Sequence, residues 1–129
     1  MSETQVGTQA SSITTRIVEA VAERARSGDH VRVLGLTGPP GTGKSTIAAQ
    51  LAVALPEAGI AVAGLVPMDG FHMSNALLAE RGLADHKGAP DTFDVGGYVA
   101  MLGRVRRADG IVLAPDYRRD LHEPVAASL

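Results

Sequence analysis

Eight consecutive residues, Gly38-Pro39-Pro40-Gly41-Thr42-Gly43-Lys44-Ser45, place glycines, a lysine and a hydroxyl in the order G-x-x-x-x-G-K-[ST]. These residue types at this spacing suit the holding of several negative charges in a small volume. Consecutive backbone N–H groups must be aimed at the anion, and a following helix must offer its positive end. Gly38, Gly41 and Gly43 let the chain come close, because no side chain intervenes and unusual backbone angles are open to them. Pro39 and Pro40 stiffen the loop by fixing their own φ. Lys44 is then expected on the β- and γ-phosphates of a nucleotide and the Ser45 hydroxyl on Mg²⁺. The nucleotide-contacting stretch runs from Gly38 to Thr46, with ATP and Mg²⁺ as the implied ligands.

Phosphoryl transfer also needs an acceptor oxygen, and the phosphate loop supplies nothing for it. Asp69, in Val66-Pro67-Met68-Asp69-Gly70-Phe71-His72, is the candidate carboxylate to orient or deprotonate a substrate hydroxyl. Lys44 and Asp69 are therefore the two candidate catalytic residues; the plainer reading of Asp69-Gly70 is a turn. His72 either touches substrate or packs. Lys87, one of two lysines in the chain, sits in a Gly/Pro loop that either closes over substrate or simply carries an exposed charge. Arg118 and Arg119 can grip a phosphate or carboxylate, or lie in a solvated turn.

These residues need elements to hold them. Val31 to Leu36 is an apolar run that reads as a strand before the loop, and Thr46 to Leu55 reads as the helix after it. Pro56 to Gly59 punctuates the chain, and Ile60 to Val66 reads as a second, doubly covered parallel strand. The expected fold is α/β: a P-loop NTPase doubly wound parallel sheet, incomplete in this chain. Asp69 would then lie at a strand's carboxyl end, where such sheets bind ligands. Upstream, Met1 to Ser11 reads as a flexible polar arm, and a helix starting at Ser12 carries Ile13, Ile17 and Val21 on one stripe up to Gly28. Downstream, Ser74 to Arg81 reads as a short helix, Asp85 to Asp91 as a loop, and Asp94 as the cap of a helix to about Ala108. Ile111 to Ala114 reads as an edge strand ended by Pro115, and Asp116 to Leu129 as a tail.

Composition narrows the function classes. The chain has 129 residues, a net charge of −2 and no cysteine, so disulfide, zinc-thiolate and thiol chemistry drop out. No basic stripe with interleaved aromatics points to nucleic acid, and Arg104, Arg106 and Arg107 read as a solvated helix face. No run reaches membrane-spanning length and no signal peptide is visible, so the expected setting is cytoplasmic, with a small-molecule acceptor as partner and neither nucleic acid nor membrane. The sequence is compatible with a homodimer.

Three segments taken together carry a resemblance: Met68-Asp69-Gly70-Phe71-His72-Met73-Ser74-Asn75, Lys87-Gly88-Ala89-Pro90-Asp91-Thr92-Phe93-Asp94, and Ala114 to Val125 with its Tyr117-Arg118-Arg119. In order and spacing they resemble the uridine kinase, phosphoribulokinase and pantothenate kinase superfamily, and within it bacterial nucleoside/nucleotide kinase-family proteins, some described as fructose-transport kinases. The resemblance implies an ATP-dependent kinase acting on a hydroxyl of a nucleoside, sugar or pantothenate-like molecule. Asp69 matches the family's base, and Lys87 and Arg119 lie in the segments that build its acceptor pocket. Some relatives carry an aspartate where this chain has Arg118. Family members continue into an acidic-ended Walker B-like strand and an arginine-bearing lid, so residues 12–129 are expected to be the N-terminal part of the kinase domain. An AAA-type ATPase shares the Gly-Pro-Pro-Gly-Thr-Gly-Lys spelling but needs an Asp-Glu strand and an arginine finger that this sequence does not show. A nucleotide-binding module without catalysis is the other alternative.

Overall fold

The structure, a computed structural model, describes the backbone of residues 3–28 and 30–129, and side chains from residue 11 onward apart from residue 29. The chain forms two compact units, Met1–Leu65 and Val66–Leu129. No helix among the described residues is long and apolar enough to cross a membrane.

The first unit is built on two helices. Helix α1 spans Glu3–Arg26, so it begins well before the predicted cap at Ser12; residues 1 and 2 of the predicted arm lie outside the described residues. Helix α2 spans Lys44–Glu57. The two pack together around Val21, Leu51 and Leu55, with Ile17, Val18 and Ile47 at the margin. This is the one-stripe burial that the i, i+4 spacing dictates. Inside that contact the Thr14 hydroxyl donates to Gln50 Oε1 at 2.6 Å, so this polar pair is satisfied. Past the end of α2, Ile60 N–H donates to the Leu55 carbonyl (2.9 Å) and Gly59 N–H to that of Pro56 (2.9 Å). With Gly59 at φ 79°, these two bonds make a Schellman closure, and Ile60 drops onto the core.

The predicted parallel sheet is not formed among the described residues: the segments 31–36 and 60–66 run without assigned strand pairing. The physical reason is the ladder. A strand needs a neighbour for its N–H and C=O groups, and here the two runs are held by side chains instead. Leu36, Ile60 and Val62 lean on the helical core, while Val31, Val33, Leu34 and Leu65 stay exposed.

The second unit is held by short elements. A 3₁₀ turn, Met68–Phe71, precedes helix α3, Asn75–Glu80, whose cap Ser74 accepts from Leu77 N–H. Two more 3₁₀ turns, Ala84–His86 and Pro90–Thr92, fill the predicted loop. Helix α4, Val95–Arg107, is capped by Asp94, which accepts from Gly97 N–H at 2.8 Å. Arg104, Arg106 and Arg107 fall in its last turn, where cations complement the helix dipole. The predicted tail is instead an antiparallel hairpin, β1 Asp116–Arg118 and β2 Glu123–Val125, pairing Asp116 with Val125, Tyr117 with Pro124 and Arg118 with Glu123. Pro124 is tolerated because a two-stranded ribbon has only edges. Ile111 to Ala114, predicted as a strand, forms none; the Ile111 carbonyl accepts from Arg104 Nη2 (3.2 Å), and Ala114 exchanges backbone bonds with Leu129 and accepts from Ser128 N–H.

Candidate functional site

In the first unit the predicted phosphate loop closes onto the start of α2. Gly43 caps the helix with φ 84° and ψ 15°, a left-handed geometry costly for any residue with a Cβ. No side chain caps this helix start, and its first turn carries no acidic residue. The N–H groups of Lys44, Ser45 and Thr46 lie in the first helical turn, where no carbonyl exists one turn back to receive them. The Lys44 ammonium folds over the loop, donating to the carbonyls of Gly38 (2.6 Å) and Pro39 (2.7 Å), while the Thr42 hydroxyl donates to Pro39 (2.8 Å). The Ser45 side chain is exposed and has no hydrogen-bond partner among the described residues. Unpaired N–H groups, a positive helix end, a cation and a free hydroxyl together fit a magnesium-bound nucleotide phosphate chain.

In the second unit Asp69 lies in the Met68–Phe71 turn with its side chain exposed. Its position is therefore set by that turn and not, as predicted, by a strand end. Gly70 is buried there, and a Cβ on it would run into the Pro115 carbonyl, so only glycine lets the turn press against the base of the hairpin. Phe71 meets Tyr98 of α4 edge-on at 5.0 Å between ring centroids. His72 packs against Phe93 (4.0 Å) and Tyr117 (5.2 Å), and its Nδ1 lies 2.8 Å from the Asp69 carbonyl. Lys87 Nζ sits 5.2 Å over the Tyr117 ring and donates to Asn75 Oδ1 (2.6 Å) and to the His122 carbonyl. Asn75 in turn donates its backbone N–H to Glu123 Oε1 (2.8 Å) and its side-chain amide to the His122 carbonyl (3.2 Å).

Asp69, His72 and Lys87 are thus gathered around the turn and the hairpin. Arg119 is exposed in the hairpin loop, with no side-chain partner among the described residues. Arg118 is taken up by Asp120 through two bonds, Nε to Oδ1 (2.9 Å) and Nη2 to Oδ2 (2.7 Å). That hydrogen bonding and the attached charge hold the Asp120 carboxyl below its usual range and raise the Arg118 guanidinium further. Sequence reasoning assigned no role to Asn75, Tyr117, His122 or Glu123. Asn75 lies inside the predicted helix Ser74 to Arg81, and no spacing rule joins it to residues near the C-terminus.

Loop and helix define a P-loop nucleotide-binding protein. A family model described as methylmalonyl Co-A mutase-associated GTPase MeaB matches residues 3–82, more than half of the chain, and the chain belongs to that family. It is similar to the uncharacterized protein YggC of Escherichia coli K12, 41% identical over 100 residues, covering 75% of this chain and 40% of that protein. It is also similar to the pantothenate kinase of Limosilactobacillus reuteri, 32% identical over 95 residues, covering 70% of this chain and 30% of that enzyme. A crystal structure described as a candidate fructose transport system kinase from Silicibacter sp. TM1040 superposes with a TM-score of 0.71 at 35% identity, covering 87% of this chain and 56% of that one. The chain therefore spans well under two thirds of the length of these relatives. Kinase-like and nucleotide-binding character hold at the level of the family.

Proposed function

We propose that this chain acts as an ATP-dependent kinase on a hydroxyl of a small molecule (a nucleoside, a sugar or a pantothenate-like acceptor), or as the nucleotide-binding part of such a kinase. The observation that carries the reading is the start of α2: uncapped by any side chain, free of acid and covered by the Lys44 ammonium. Lys44 exchanges its two carbonyl acceptors for phosphate oxygens, and the Ser45 hydroxyl serves Mg²⁺. Asp69 orients the acceptor hydroxyl and takes its proton. Lys87 and Arg119 contribute positive charge on the acceptor side. Bound ATP supplies the phosphoryl group. The setting proposed is the cytoplasm, with a small molecule rather than nucleic acid or membrane as partner. The kinase names of the relatives and the 35% identical structure support this reading.

A second reading, nucleoside-triphosphate hydrolysis with GTP, is favoured by the family description over residues 3–82, which include the whole phosphate loop. Calorimetric titration with ATP and with GTP separates the two, followed by a transfer screen over pantothenate, fructose and nucleosides. Lys44→Ala removes charge-assisted bonds worth about 1.5–3 kcal/mol and is expected to weaken nucleotide binding about 10–100-fold. Asp69→Asn is expected to keep nucleotide binding and lose transfer. Intact transfer in Lys44→Ala would sink the mechanism; intact transfer in Asp69→Asn would remove only the base.

A further inference from the structure

We propose that His72 is a positioning residue for Asp69, acting through Nδ1. The proposal rests on the reading of Asp69 as the base. A carbonyl oxygen has no proton to give, so the 2.8 Å contact between His72 Nδ1 and the Asp69 carbonyl requires Nδ1 to be the donor. In the neutral ring this fixes the Nδ1–H tautomer and leaves Nε2 without a proton. The same carbonyl accepts the backbone N–H of His72 at 3.2 Å, so one residue closes the turn twice.

The ring is held for this task. Phe93 and Tyr117 lie against it, tilted by 39° and 51°. The strand-like bonds Met73 N–H to Thr92 (2.9 Å) and Asp94 N–H to Phe71 (2.7 Å) fix the backbone on either side of it. Gly70, which completes the same peptide as the Asp69 carbonyl, is pressed onto the Pro115 carbonyl. The peptide that follows the Asp69 Cα is therefore held through its carbonyl and through Gly70, and the exposed Asp69 carboxylate is the part left free to meet a substrate.

Two substitutions separate the Nδ1 hydrogen bond from the packing of the ring. His72→Asn keeps an N–H donor at the Nδ1 position and loses the ring; His72→Phe keeps the ring and loses the donor. In long-range ¹H–¹⁵N spectra of the full chain, His72 is expected as the Nδ1–H tautomer; the spectrum of either variant assigns it among the four histidines. The Asp69 carbonyl ¹³C shift is expected to stay near wild type in His72→Asn and to move upfield in His72→Phe, and the His72→Phe turn is expected to lose amide protection. An Nε2–H tautomer overturns the proposal. So does the reverse order of the variants, which is the result of packing alone. Neither readout needs turnover, so failure of the kinase reading is separately visible in the transfer screen.

Discussion

The phosphate loop and the Asp69 turn differ in where their partners come from. Around Lys44 every side-chain bond stays within six residues of chain: Lys44 to Gly38 and Pro39, Thr42 to Pro39. Around Asp69 and Lys87 the bonds reach 35 residues, from Lys87 to His122, and 48, from Asn75 to Glu123. A local site is written in consecutive letters and can change without loosening the fold. A site closed by distant segments shares its contacts with the core of its unit, so function and stability there move together.

The largest test of that contrast is Gly70→Ala. The added methyl meets the Pro115 carbonyl, which belongs to backbone and cannot rotate away. Overpacking of this kind costs about 1–3 kcal/mol, and the rigid neighbour puts this case at the upper end. Both tyrosines, Tyr98 and Tyr117, lie in the second unit and the chain has no tryptophan, so tyrosine fluorescence during urea unfolding reads that unit directly. Lys44→Ala should leave the same transition unmoved. Equal effects from the two variants would break the contrast.

Thr92→Val comes next. Thr92 is fully buried; its hydroxyl accepts from Gly88 N–H (3.0 Å) and donates to the Ala89 carbonyl (2.7 Å). Valine keeps the shape and leaves that N–H unpaired, at a cost of about 1–3 kcal/mol. The loss should appear in the same tyrosine transition. No loss would mean that the Lys87 loop is not set by this hydroxyl.

The same contrast explains what the sequence could reveal. Gly38 to Ser45 was legible because its chemistry is local, as was the cap Asp94, which bonds within three residues. The strands were misread for the opposite reason. The apolar runs 31–36 and 60–66 have strand composition, but pairing depends on partners that no local pattern contains. The hairpin went unseen because Asp116 to Val125 is polar and holds a proline, and its register is fixed by the turn above it and by Asn75 and Lys87. Asp69 and Lys87 could be singled out by residue type, whereas the Asn75, His122 and Glu123 contacts that arrange them could not.

The smallest effect belongs to Asp120→Asn. Arg118 and Asp120 are exposed and two residues apart, so this pair is local although it lies in the unit of long-range contacts. Hydrogen bonding to Arg118 lowers the Asp120 carboxyl, so its contribution is present above the usual carboxylate range near pH 4 and fades as pH falls through the lowered value. The raised Arg118 titrates only in strong alkali and adds no second window. Screening by water keeps exposed pairs weak. The variant's unfolding midpoint should therefore lie only slightly below wild type at pH 7, with the gap closing below about pH 4. A large gap at pH 7 would make this pair part of the hairpin's anchoring, and locality would then no longer predict which contacts the fold can lose.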